Sequence, residues 1–176
     1  MDFSARSLGL AIGVIVGLIV TVVILKLINK DGNTKTKYDE MQLITRGKAY
    51  TYAFWTLIII ELFLCITSTG DYKFPFNNYV LHFSAIIIGI VVQVSYCIWH
   101  NAYFGLNNSK SRFAIFAILI AVFNFGIALY LHSKGELIVD GVFQDALMNI
   151  IVGCMFIVIG IELFVKMIVD KGEMGD

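Results

Sequence analysis

A single proline, three cysteines and three histidines leave this chain of 176 residues short of the side chains from which most sites are built. The proline, Pro75, falls between two apolar blocks and interrupts neither. That argues against the broken helices around which many transporters build a substrate site. Cys65, Cys97 and Cys154 each lie inside an apolar block, and no two of them form a C-x-x-C. They read as small buried hydrophobes, with no metal-ligand set and no disulfide framework. Charge is sparse as well: 13 basic residues cancel 13 acidic ones, so no basic field invites nucleic acid. H-E-x-x-H, G-x-S-x-G, a Walker A loop, the paired glutamates of membrane proteases and a phosphatase-type P-S-G-H are all missing. The reading is therefore non-enzymatic, with no cofactor and no metal. A lipid-active enzyme would have to use Glu61 or His100 as its acid or base, and no second catalytic group converges on either.

What the chain does have is hydrophobicity gathered into blocks. It is 59% apolar and 15% charged, where a soluble domain has about 45–50% and about 25%. Five blocks stand at about 8–28, 49–67, 79–103, 113–131 and 146–169, close to the roughly 20 residues a helix needs to cross about 30 Å of hydrocarbon. The expectation is one domain, all-α, an integral membrane bundle of five transmembrane helices. The first block exceeds the apolar core of a signal peptide and no A-x-A site follows it, so it reads as a retained span. Tyr50, Tyr52 and Trp55 at the start of the second block mark a headgroup level, as do Tyr96, Trp99 and Tyr103 at the end of the third.

Lysine and arginine set the orientation. Five spans put Lys26, Lys30, Lys35, Lys37, Arg46, Lys48, Lys110, Arg112, Lys166 and Lys171 on one side, and Arg6, Lys73 and Lys134 on the other. The positive-inside rule makes the richer side cytoplasmic, with the N-terminus outside and the C-terminus in the cytoplasm. The longest polar connection, 29–48, then faces the cytoplasm. Asn29–Lys35 reads as a turn around Asp31-Gly32. Thr36 caps a short interfacial helix beginning at Lys37, with Asp39 and Glu40 in its first turn. Gln42 and Arg46 pair four apart on its exposed face. Tyr38, Asp39, Glu40, Gln42, Arg46 and Lys48 are the candidate contacts for a protein partner, a regulator or a transporter subunit.

Polar residues within the spans are candidates for function or for helix-to-helix hydrogen bonding. Glu61 lies 13 residues beyond Lys48, about 20 Å along the helix, and no cation stands three or four residues away. Gln93 and Asn124 fall at about 12 and 17 Å by the same rise. With Tyr96 they would form one layer near mid-membrane, either a structural clamp or a proton or ligand site. In block three His82, Gly89, Gln93, Tyr96, His100 and Tyr103 share one face, which lines a cavity or forms a seam. His82 and His100 are about 27 Å apart and cannot share a metal.

Small residues mark packing faces. Gly9, Gly13 and Gly17 lie four apart, toward another helix of the chain or a second copy, a possible homo-oligomer. Ala117 and Ala121 belong to a seam with Asn124, and Gly153 and Gly160 share a face of block five. Glu162 and Lys166 read as an i, i+4 ion pair near the cytoplasmic end.

Tyr38-Asp39-Glu40-Met41-Gln42, Arg46-Gly47-Lys48-Ala49-Tyr50, Ala53-Phe54 and Thr56-Leu57 resemble small multi-span membrane proteins of low-GC Gram-positive bacteria. These carry a Y-D-E-R-Q…R-G-K-A-Y…F-F-T-L pattern after their first span. Met41 stands where that pattern has Arg, and Trp55 where it often has Phe. The resemblance covers about 20 residues. It implies a bacterial plasma-membrane protein and carries no activity with it. With Met41 in place of Arg, any anion contact made there by relatives is lost.

Overall fold

The computed structural model describes residues 5–70 and 73–173; the side chain of Arg6, counted above on the cation-poor side, lies outside what is described. Among the described residues five helices follow one another: α1 Ala5–Ile28, α2 Glu40–Ser68, α3 Asn78–Trp99, α4 Lys110–Ser133 and α5 Leu147–Glu173. Helices α2 to α5 are each long and apolar enough to cross a membrane, and α1 carries a shorter apolar stretch, Ile12–Ile28. The protein is an all-α helical bundle of the membrane type.

The helices stand in a row: α2 packs on α3, α3 on α5, α5 on α4, and α4 on α1. Such a row buries little. Ala49, Cys97 and Ala102 are buried together between α2 and the end of α3, and Val94, Ile98 and Ile159 between α3 and α5. Large apolar side chains such as Leu18, Ile59, Val122 and Phe164 stay exposed, as expected where lipid supplies the apolar surroundings. With no hydrophobic force between helices in lipid, close packing falls at small residues. A Cβ on Gly89 would stand 3.5 Å from the Ala53 carbonyl oxygen, so α2 and α3 nearly touch there. On Gly153 it would stand 2.7 Å from the Phe125 ring, so that glycine packs as expected. Ala117, Ala121 and Asn124 are half-buried and Ala128 is buried on α4. Gly160, Gly9, Gly13 and Gly17 have open space instead. Of the two alternatives for the α1 glycines, packing against another helix of this chain is corrected, because α1 meets α4 near its own C-terminal end, where Arg112 Nη1 donates to the Leu27 carbonyl at 3.0 Å, and Gly160 does not pack with Gly153 as expected.

Two further elements depart from expectation. The helix expected to start at Lys37 begins at Glu40, with Asp39 as its N-cap, and runs unbroken for 29 residues. There is no separate interfacial helix. At about 43 Å, α2 is longer than the hydrocarbon is thick, and its first turns project beyond it. The connection 134–146 contains a hairpin, Ile138–Val139 against Val142–Phe143. Asp140 and Gly141 take φ of 50° and 76°, the pair of positive values a two-residue type I′ turn requires. Phe143 donates to the Pro75 carbonyl at 2.9 Å and accepts from the Asn77 N–H at 2.8 Å. Phe76 stacks on the Phe143 ring at 5.5 Å, which bolts the α2–α3 connection to the hairpin.

Candidate functional site

The densest polar construction lies where the 29–39 connection meets the turn between α3 and α4. It starts from how α3 ends. His100 is the C-cap and Asn101 takes φ of 56°, a left-handed residue that Asn tolerates. The Ala102 N–H donates to the Cys97 carbonyl at 2.8 Å and the Asn101 N–H to the Ile98 carbonyl at 3.2 Å, the paired bonds of a Schellman ending. The chain beyond presents carbonyls that α3 cannot satisfy, and α2 supplies the donors. Gln42 Nε2 donates to the carbonyls of Asn101 and Phe104 at 2.9 and 3.1 Å. Arg46 donates to the Ala102 carbonyl at 3.3 Å and to the Tyr50 hydroxyl at 3.2 Å. Its guanidinium lies 4.2 Å from the centre of the Tyr38 ring, a cation–π contact. Gln42 also completes the capping box: its backbone N–H donates to Asp39 Oδ1 at 2.7 Å, and its Oε1 accepts from the Asp39 N–H. The expected Gln42–Arg46 surface pair is thereby corrected. Both side chains are drawn off the helix surface by unsatisfied carbonyls.

Asn107 closes the other half. Its Oδ1 accepts from the Lys37 N–H at 2.8 Å, and its Nδ2 donates to the Asp31 carboxylate at 3.1 Å and to the Lys35 carbonyl at 3.1 Å. The Lys37 carbonyl accepts from the Leu106 N–H at 2.7 Å, and the Asn107 carbonyl from the Lys30 N–H at 2.8 Å. Asn108 Nδ2 donates to Asn29 Oδ1, and the fully buried Asn29 donates in turn to the Asn33 carbonyl at 2.6 Å. Of the candidate partner contacts, Tyr38, Gln42 and Arg46 are thus spent inside the molecule, while Asp39 caps its own helix and stays exposed. Glu40 and Lys48 remain exposed. Burial pushes the Tyr38 phenol up. The Lys37 ammonium, 2.9 Å away, and the Asn107 amide hold the Asp31 carboxyl well below the usual carboxylate range. A depressed folded pKa gives stabilisation that is present above the unfolded value, about 3.9, and lost as pH falls through it toward the folded one. Protease resistance of the 29–39 segment is therefore expected to stay flat from about pH 5 to 8 and to fall only in stronger acid. Asp31→Asn should remove that acid dependence.

Within the spans the structure separates the residues expected in one layer. Glu61 Oε2 lies 2.8 Å from His82 Nδ1. Glu61 is seven residues from the end of α2 and His82 four from the start of α3. Their pair therefore sits about 6–10 Å from the helix ends, not at mid-membrane. No partner for Glu61 is visible within its own helix because His82 lies 21 residues away, on the facing helix. Gln93 Nε2 contacts Cys97 Sγ at 3.8 Å, and Asn124 Nδ2 donates to the Ile120 carbonyl at 2.8 Å, each within its own helix. Tyr96 packs on the rings of Tyr52 and His100 at 5.0 and 4.0 Å. Asn124, on α4, is separated from Glu61, on α2, by α3 and α5. The polar stripe of α3 is its seam against α2, carried by His82, Gly89 and Tyr96.

The expected Glu162–Lys166 pair is corrected. Lys166 Nζ pairs with Asp170 at 2.7 Å. Glu162 Oε1 instead accepts from the Ser95 hydroxyl at 2.8 Å across the α3–α5 interface, and its Oε2 is buried without a hydrogen bond. The clue was its register: Met155, Ile159 and Glu162 are spaced four and three, so the carboxylate shares the stripe that α5 turns to α3. No protein-family model, curated protein or solved structure matches this chain.

Proposed function

We propose that this chain is a non-enzymatic multi-pass protein of the bacterial cytoplasmic membrane, N-terminus outside, that serves as an accessory or sensory subunit and joins its partner through a helix face within the bilayer. The ten-to-three distribution of lysine and arginine supports the orientation. The observation that carries the functional reading is the bare glycine face of α1. Each of Gly9, Gly13 and Gly17 has nothing within 4 Å of where a Cβ would stand. Glycine within a helix costs roughly 1 kcal/mol relative to alanine, and lipid returns nothing for it. Close approach of another helix does. The inward-turned Gln42 and Arg46 favour this lateral contact over the 37–48 surface, because those two side chains are committed to carbonyls of the α3–α4 connection.

The test is native electrophoresis of gently solubilised membranes. The wild-type chain should migrate in a complex larger than one protomer, and Gly13→Leu should release it without lowering the thermal midpoint of the chain itself. The mass of the complex separates a homo-oligomer from a regulator or transporter assembly. A complex that survives Gly13→Leu, or a wild-type chain that migrates alone, overturns the reading.

A further inference from the structure

The wedge between α1 and α4 joins a cluster of cations to an apolar flank. The two helices meet where α1 ends and α4 begins. The Ser109 N–H donates to the Ile28 carbonyl at 3.0 Å, and the Lys30 N–H to the Asn107 carbonyl at 2.8 Å. These bonds bring Lys30, Lys110 and Arg112 to one junction, and all three are exposed. Neither helix contains an aspartate or a glutamate. The ion pairs among the described residues are Lys37–Asp31, His82–Glu61 and Lys166–Asp170. None of the junction's three cations therefore pairs with a described carboxylate.

Arg112 is the fixed member. Its Nη1 donates to the Leu27 carbonyl at 3.0 Å, which anchors the fork across the junction. A guanidinium has five N–H groups in one rigid plane, and among the described residues this is the one hydrogen bond that the group makes. The N–H groups left over fit two oxygens of a single phosphate. Lys110 Nζ lies 5.7 Å over the Phe104 ring, a cation–π contact that brings no negative charge with it. Beyond the junction the helices part. On one face of α1, Ile28 is buried and Ile24 half-buried, but Gly17, seven residues back on that face, has nothing within 4 Å of where a Cβ would stand. On α4, Arg112 heads a stripe with Ile115, Leu119 and Val122 at spacings of three, four and three. These apolar side chains are all exposed. From Arg112 to Val122 the stripe runs about 15 Å, half of the roughly 30 Å of hydrocarbon.

We propose that this wedge binds one anionic glycerophospholipid. Its phosphate lies on the Arg112 fork with Lys30 and Lys110 flanking it, and its acyl chains run along Ile115, Leu119 and Val122. Basic pockets between transmembrane helices take such headgroups by charge. A zwitterionic lipid fills the wedge but carries its own cation. A soluble phosphate ester matches the fork but leaves the apolar flank uncovered. The site does not rest on the partner contact proposed for the α1 glycines: Gly13 lies about 22 Å along the helix from Ile28, so Gly13→Leu should leave lipid binding unchanged.

The experiment is native mass spectrometry of the full chain in a non-ionic detergent, with dioleoyl phosphatidylglycerol as probe and dioleoyl phosphatidylcholine beside it. One phosphatidylglycerol per protomer is expected, bound at least about tenfold more tightly than phosphatidylcholine, and glycerophosphate should not displace it. Arg112→Gln should weaken binding about tenfold, or about 1.4 kcal/mol. That change also removes the bond to Leu27, so a second variant is needed. Lys30→Gln keeps its backbone bond to Asn107 and should weaken binding about fivefold. Lys48→Gln removes the same charge at the same end of the bundle, on α2 at the other end of the row, and should leave binding as it is. The proposal is overturned if the two lipids bind equally, if glycerophosphate displaces the lipid, or if both Arg112→Gln and Lys30→Gln bind as the wild type does. Equal weakening by Lys48→Gln would reduce the effect to diffuse charge and overturns it as well.

Discussion

Asn107→Ala is expected to destabilise the protein by roughly 2–4 kcal/mol, among the largest effects of any single truncation outside the helices. The asparagine is 8% exposed and its side chain bonds Lys37, Asp31 and Lys35. Alanine removes all of those bonds at once. It leaves the Lys37 N–H and the Lys35 carbonyl without their partner, and an unsatisfied buried group costs about 1–3 kcal/mol. Asp31 keeps Lys37 but loses the amide that helps hold it charged. Thermal unfolding in nanodiscs would show the loss, and limited proteolysis would place it: new cleavage should appear between residues 29 and 39 while the spans stay protected. A loss of less than about 0.5 kcal/mol, the level of an ordinary surface change, would mean that the network is decoration.

Gly105→Val should do comparable damage by a different route, about 2–3 kcal/mol from overpacking. A Cβ at this buried glycine would overlap the Thr36 methyl and come within 2.5 Å of the Lys37 carbonyl oxygen. That carbonyl cannot retreat, because it accepts the Leu106 N–H at 2.7 Å. The strain is steric and not torsional, so Gly105→Ala should already be harmful. Gly47→Ala makes the contrast. Gly47 lies inside α2 with open space around it, and alanine there should be neutral or stabilising by up to about 1 kcal/mol. Equal midpoints for the Gly105 and Gly47 variants would remove the close approach from the account.

How much of this was legible in the residues varies by element. The helices were, since runs of about 20 apolar residues in lipid leave the backbone little choice but to bond within itself. Gly153 was legible as a packing position for the same kind of reason: a missing side chain matters only where another helix comes close. The hairpin was legible too, in Ile138-Val139-Asp140-Gly141-Val142-Phe143, a D-G pair between two β-branched or aromatic pairs. The Asp39–Gln42 capping box lay in plain view as a D-x-x-Q, but Thr36 competed as a cap, and only the geometry at Asp39 decides between them.

The cross-chain partners were not legible. Glu61 finds His82, Glu162 finds Ser95, and Gln42 finds carbonyls 59 and 62 residues away. Periodicity says which face a side chain shares with its own helix and nothing of what stands opposite. A layer of Glu61, Gln93 and Asn124 was a reasonable inference from depth alone. It failed because depth is one coordinate, and in a row of helices α2 packs on α3 while α4 packs on α5 and α1.

The sequence by itself therefore determined the class of object: apolar blocks of membrane length, a lysine-rich side, and glycines and alanines where helices can approach. Those follow from transfer free energies and helix geometry, which each block carries on its own. The tertiary structure alone decided that the 29–46 segment is turned inward as a lock on the α3–α4 connection, and that Glu61 meets His82 near the helix ends and not in a mid-membrane layer. Hydrogen bonds reach about 3 Å and demand direction, so which groups pair depends on which elements are neighbours, and that is a property of the packed row.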